Sequence, residues 1–210
     1  MRTHTHVSQE SLTPQDALEI LRQGNQRFVD NLKVNRNLLQ QVNETAKGQF
    51  PFAVILSCID SRTSAELIFD QGLGDIFSVR VAGNVVNDDI LGCMEFACKL
   101  AGAKLIVVLG HSACGAVKGA CEHVELGHLT GLLDKIRPAV EAISKSRGSG
   151  AGAPTDEFVE AVAKENVRVA MERVRSESAV LRELLEAGKI AVVAAMYDVS
   201  SGVVTFEDSI

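Results

Sequence analysis

Two runs of apolar, largely β-branched residues constrain this chain more than anything else in it: Phe52-Ala53-Val54-Ile55-Leu56 and Leu105-Ile106-Val107-Val108-Leu109. Neither alternates with polar residues, so each must be covered on both faces, as in a parallel sheet held between helices. Each also runs straight into reactive side chains. Ser57-Cys58-Ile59-Asp60-Ser61-Arg62 follows the first run and Gly110-His111-Ser112-Ala113-Cys114-Gly115 the second. Both clusters therefore stand at strand carboxyl ends, where the loops of an open α/β sheet line a crevice and helix N-termini point into it. Two thiolates, an imidazole and a carboxylate, from Cys58, Cys114, His111 and Asp60, are four ligands that suit a tetrahedral zinc ion.

The remaining chain reads as alternating helices and strands around those two runs. Thr13-Pro14-Gln15-Asp16 has a capping residue, proline at the first helical position and an early carboxylate, which predicts a helix from Pro14 to Leu32. A second helix is expected over Arg36–Lys47, and the two make an N-terminal arm, residues 1–48, with a modest apolar face suited to packing on another surface. Strand Phe52–Ser57 is followed by a short helix Ser64–Phe69, a turn at 71–75 and strand Ile76–Val81. Helix Asp88–Ala101, strand Lys104–Leu109 and a helix over Cys114–Glu122 come next, then a helix Leu129–Ser144 despite Pro138.

Arg147 to Ala153 is glycine-rich and reads as a surface loop. Pro154–Ala187 is one long helix or two, with Phe158, Val162, Val167, Ala170, Val174 and Leu184 inward and Gly188 ending it. A last inner strand, Ala191–Tyr197, turns at Ser200-Ser201-Gly202 into an antiparallel edge strand Val203–Phe206. The fold class is thus α/β: a single domain with a mainly parallel central β-sheet flanked by helices, an antiparallel C-terminal edge strand and the helical arm before a core of residues 49–210.

Composition excludes several functions. A net charge of −6 leaves no basic footprint for nucleic acid. The apolar runs are strand-sized, short of the ~20 residues a spanning helix needs, and Met1 to Gln9 lacks the apolar region of a signal peptide. Five cysteines, an odd number, read as reduced thiols rather than a disulfide framework, which favours the cytoplasm. Cys93 and Cys98 are expected in the core, and His4, His6 and His128 in solvent. Cys121 and His123 are spaced poorly for one helix face.

A metal held by two cysteines and a histidine leaves a fourth position. Zinc there polarises a bound water into a nucleophile near neutral pH, and two thiolates make that water less acidic than an all-histidine site would. Activity should then favour alkaline pH. Asp60 has two placements open to it: it fills the fourth position, or it pairs with Arg62 and orients the hydroxide.

Cys-x-Asp-x-Arg followed by His-x-x-Cys, each after a buried strand, closely resembles the β-class carbonic anhydrases. The resemblance is dense from Gln49 to Gly119 and looser through the flanking helices and Tyr197-Asp198-Val199. It implies reversible hydration of carbon dioxide to bicarbonate and a proton, with one Zn2+ per chain on Cys58, His111 and Cys114. It implies that Gln49, nine residues before Cys58, hydrogen-bonds substrate, and that Phe77 and Phe96 line the pocket. The family pocket lies at a dimer interface, so a homodimer or dimer-based higher oligomer is implied, with the arm wrapping the partner. One branch of the family carries a regulatory bicarbonate pocket of tryptophan, arginine and tyrosine. Arg80 and Tyr197 match it, but Ile55 stands in place of the tryptophan. Ala82-Gly83-Asn84 is smaller than the Val-Ala-Asn common in the family's plant-like members, so the pocket should be roomier.

Rival readings share parts of this pattern. Carbonyl sulfide or carbon disulfide hydrolysis would use the same metal, and a non-catalytic zinc-stabilised module would keep Asp60 on it permanently. A cysteine phosphatase needs Cys-x5-Arg, whereas only three residues separate Cys58 from Arg62. A P-loop fails because Ala116-Val117 stand where Lys-Ser/Thr is required.

Overall fold

The computed structural model describes residues 3–147 and 154–207. Among these residues one sheet of five strands forms in the order β2-β1-β3-β4-β5: β1 Ala53–Ser57, β2 Ile76–Arg80, β3 Leu105–His111, β4 Ala191–Tyr197 and β5 Val204–Phe206. The first four are parallel and β5 runs antiparallel to β4. After β1 the chain moves outward to β2, then returns past β1 to β3. Strand order therefore reverses between β1 and β3, and the crevice of an open α/β sheet opens at such a switch point.

The absence of polar alternation in β1 and β3 has the expected cause. Val54, Leu56, Ile106, Val108, Val192 and Ala194 face one helical layer, and Ala53, Ile55, Leu105, Val107, Leu109, Val193 and Ala195 face the other. Fully burying each of the larger side chains contributes ~1.5–3 kcal/mol. The first layer holds α5 Asp88–Glu95, α9 Asp156–Glu177 and α10 Ala179–Glu186. Helices α6 Gly115–Cys121, α7 Gly127–Leu133 and α8 Arg137–Arg147 gather with α9 in a third cluster that includes Cys58 and Cys114.

The arm departs from expectation. It opens with a short helix α1, His6–Glu10, and α2, Pro14–Val29, packs on the chain's own sheet. Its capping box of Thr13 and Asp16 forms, and Ala17, Leu18 and Leu21 are buried against β1 and the neighbouring α4, Ala65–Ile68. Gly24 makes this fit possible: a Cβ there would lie 1.8 Å from the Phe69 carbonyl oxygen. Asn25 then accepts from the Val204 N–H at 2.8 Å and donates to the Gly202 carbonyl at 2.9 Å, tying α2 to the edge strand. The helix stops at Val29, with Asn31 in the left-handed region. Helix α3 spans only Leu38–Thr45, and Leu38, Leu39 and Val42 stay exposed.

Other differences are local. The segment expected as one helix over Leu129–Ser144 breaks at residues 134–136, and Pro138, with no N–H to donate to the Asp134 carbonyl, falls in the first turn of α8 where no such bond is needed. Helix α5 passes into a π turn over Phe96–Leu100. Residues 154–187 form two helices, divided at Ser178, whose side chain caps α10. Cys93 is exposed rather than in the core, since the buried stripe of its helix passes through Ile90, Leu91, Met94 and Cys98. His4 is half-buried, its ring edge-on to Phe52 at 5.3 Å. The expected loop's residues 148–153 lie outside the described residues. No helix among the described residues is long and apolar enough to cross a membrane.

Candidate metal centre

Cys58 leaves the end of β1, and His111 ends β3 beside it. Cys114 is brought back by a tight turn in which Ala113 takes φ 52°. The left-handed residue reverses the chain within three positions, so His111 and Cys114 face the same point. The ligand atoms of Cys58, His111 and Cys114 all lie within 4.8 Å of one another, and all three residues are buried.

Each donor is prepared by its surroundings. His111 Nδ1 lies 2.9 Å from the Ser112 carbonyl oxygen. A carbonyl only accepts, so Nδ1 carries the proton and the lone pair sits on Nε2, a buried atom with no hydrogen-bond partner here. The Gly83 N–H donates to Cys58 Sγ at 3.3 Å. The Cys114 thiol, with His111 and this N–H, pulls the Cys58 thiol below the ordinary thiol range, while the Cys58 thiolate and burial push Cys114 up.

Asp60 is not a member of the cluster. Its carboxylate accepts from Arg62 Nε at 2.9 Å and Nη2 at 2.8 Å. The Arg62 guanidinium holds the Asp60 carboxyl well below the usual carboxylate range. The loop bearing both residues is braced from beneath. Arg80 donates to the carbonyls of Cys58, at 3.0 Å, and Asp60, at 2.7 Å, and the Thr63 hydroxyl donates to the same two oxygens. Arg80 is thus engaged at the loop, and Ile55 is fully buried in the sheet.

A cleft of about 430 Å³ opens beside Cys58 and Asp60, walled by Ile59, Ala82, Leu129 and Leu133. Gln49, Phe77 and Phe96 do not line it. Gln49 and Phe96 are exposed and Phe77 is half-buried; the two rings meet edge-to-face at 6.1 Å. Cys121 and His123 do not join the cluster: Cys121 is buried, with its thiol pushed up to about 11, and His123 is exposed.

The sequence model of the carbonic anhydrase family matches residues 53–204. The chain belongs to the β-carbonic anhydrases. It is an enzyme of that family, a carbonic anhydrase. It is 38% identical over 204 residues to carbonic anhydrase 2 of Mycobacterium tuberculosis, covering 94% of each chain. It is 36% identical to a carbonic anhydrase of Mycolicibacterium smegmatis, over 90% of this chain and 91% of the relative. Among solved structures, a β-carbonic anhydrase of Aspergillus fumigatus superposes with a TM-score of 0.73 at 28% identity, covering 81% of each chain. The two β-carbonic anhydrases of Sordaria macrospora are described as tetrameric; the match to them has a TM-score of 0.71 over 81% of this chain and 90% of that one, at 23% identity.

Sequence reasoning missed the parts of this β-carbonic anhydrase site made by backbone. The Gly83 amide and the left-handed Ala113 carry no side-chain signature. Ala82-Gly83-Asn84 was legible only as small residues after a strand.

Proposed function

We propose that the chain catalyses reversible hydration of carbon dioxide to bicarbonate and a proton, using one zinc ion per chain held by Cys58, His111 and Cys114. The observation that carries this reading is the convergence of three buried ligand atoms within 4.8 Å, beside a cleft lined mainly by apolar residues. The donor set fits zinc, since thiolate sulfur and imidazole nitrogen are its preferred ligands. The unpartnered Nε2 of His111 is an atom such an ion would satisfy.

When bound, zinc supplies the Lewis acidity that brings the pKa of a water molecule down toward neutrality. The chain's own groups supply position. Asp60, gripped by Arg62, offers a fixed carboxylate acceptor at the cleft that aims the nucleophile's lone pair. Ile59, Ala82 and Leu129 give the wall an uncharged linear gas needs. Arg80 keeps the Cys58–Asp60 loop still while this happens.

Gln49, Phe77 and Phe96 are assigned to the site of a partner subunit, because in their own chain they lie outside the cleft. There Gln49 would donate to a substrate oxygen and the paired rings would form a wall. This requires a homodimer or a dimer-based higher oligomer. The exposed Leu38 and Leu39 of the arm, residues 1–48, and Leu100 beyond Phe96 give apolar surface for it. The core of residues 49–210 carries the chemistry. The five thiols, none in a disulfide among the described residues, suit a reducing cytoplasm.

Metal analysis coupled to oxygen-isotope exchange between carbon dioxide and water tests the reading. The expected result is stoichiometric zinc and exchange that rises toward alkaline pH. Zinc without exchange at any pH would make Asp60 the permanent fourth ligand of a non-catalytic module. Faster turnover of carbonyl sulfide than of carbon dioxide would assign the other gas.

A further inference from the structure

Asn166 sits in the middle of α9 among Val162, Ala163, Val167 and Ala170, and is only 2% exposed. A buried amide in an apolar stripe needs a partner to be tolerated. Its Nδ2 donates to the Gly83 carbonyl at 2.8 Å. Gly83 lies in the left-handed region, φ 67° and ψ 19°, within the short turn Ala82–Asn84. A Cβ there would come 2.7 Å from Ile136 Cδ1 and 3.3 Å from Ala116 Cβ. The N–H of this same residue is the one on Cys58 Sγ, at 3.3 Å. Since φ and ψ fix the angle between a residue's N–H and its C=O, anchoring the carbonyl aims the amide.

We propose that Asn166 is a positioning residue for the metal centre: through Gly83 it holds an N–H on the Cys58 sulfur and so limits the charge that sulfur donates to a metal. The inference rests on Cys58 being a ligand, as argued above. A hydrogen bond to a ligating sulfur withdraws electron density from it, leaving the metal the stronger Lewis acid. Neither of the motifs around Cys58 and His111 includes Asn166, which arrives from a helix formed much later in the chain.

The test uses the full chain loaded with cobalt(II) in place of zinc. Asn166→Asp keeps the side chain's shape but sets an acceptor against the Gly83 carbonyl, and Asn166→Ser is the milder removal. Val174→Ala, on the same helix and buried in the cluster around α5 and α10, controls for loss of helix packing. The sulfur-to-cobalt charge-transfer band should move to lower energy in both Asn166 variants, because a thiolate stripped of its hydrogen bond gives up an electron more easily. Cobalt affinity, by chelator competition, should change about 10-fold, with Val174→Ala at the wild-type position on both measures. An unmoved band in a folded Asn166 variant overturns the inference. Should neither variant fold, cadmium NMR of the wild-type protein decides it: coupling between the Gly83 amide proton and cadmium through Cys58 is expected, and its absence overturns the proposal. A wild-type protein with no charge-transfer band would instead overturn both Cys58 and Cys114 as ligands, which is a separate failure.

Discussion

Arg62 grips Asp60 at both carboxylate oxygens, Nε to Oδ1 at 2.9 Å and Nη2 to Oδ2 at 2.8 Å, and its own N–H adds a third bond to Oδ1 at 3.0 Å. Two residues apart, they form a rigid fork whose plane is fixed by the loop that carries Cys58. The pair is partly exposed, so it adds little stability. What it fixes is direction.

That fork predicts an unusual pH signature. Arg62 holds the Asp60 carboxyl below the ordinary range of ~3.9, so the charged form is kept at every pH above that and lost only in strong acid. Without Arg62 the carboxyl returns toward the ordinary value and is still ionised at neutrality. Arg62→Ala should therefore lower kcat/KM by roughly 10–100-fold through lost orientation alone. The deficit should be constant from neutral to alkaline pH in stopped-flow hydration assays. A deficit that varies with pH across that range would mean Arg62 acts through charge.

Cys114→Ser should lose metal and hydration activity together, because the serine hydroxyl stays protonated and is a poor zinc ligand. Elemental analysis after gel filtration in zinc-containing buffer measures the first, and isotope exchange the second. A variant with full zinc and a normal rate would remove Cys114 from the ligand set.

Asp70 is buried and holds two guanidinium groups, Arg27 at 2.6 Å and Arg36 at 2.5 Å, and its carbonyl also accepts from Arg36. Burial pushes this carboxyl up, but the two arginines more than offset it and its pKa is lowered. Asp70→Asn removes the buried carboxylate charge that Arg27 and Arg36 share and should cost about 3–5 kcal/mol, a Tm drop of roughly 6–20 °C. A depressed pKa gives stability that is full above the ordinary carboxylate value and lost as pH falls through the folded one. The Tm gap between wild type and variant should therefore hold from neutral pH to mild acid and close in strong acid. A gap that stays open there would show that packing, not charge, is what the substitution removes.

Leu100 is 77% exposed at the end of the π turn that carries Phe96. Leu100→Lys should shift sedimentation toward smaller species and lower the hydration rate, with zinc content unchanged, because Gln49, Phe77 and Phe96 would no longer reach a partner's cleft. Unaltered sedimentation and rate would take this surface out of the interface.

Strands were the most legible part of the chain, because β1 and β3 are buried on both faces and polar residues are absent from them until their last positions, Ser57 and His111. Cys58, His111 and Cys114 were legible because side-chain chemistry sits in the motif itself. The arm was legible as helical but its seat was not: Gly24 lets α2 sit close to the end of α4, and Ala17, Leu18 and Leu21 are buried there. The break between α7 and α8 was masked by a helical pattern that continues through it. Contacts made by peptide groups, such as the Gly83 amide on Cys58, leave no trace in residue identity, and Asn166 shows only as one polar residue on an inward face.

The three candidate donors come from two crossover units, Cys58 just after β1, His111 at the end of β3 and Cys114 in the turn beyond it, and β1 and β3 are neighbours in the sheet. A nascent chain that ends before Gly110 offers a single thiol of the three donors, however well β1 and β2 have paired. An ion held by all three donors would therefore be bound only once β3 has docked against β1, whatever the state of β2.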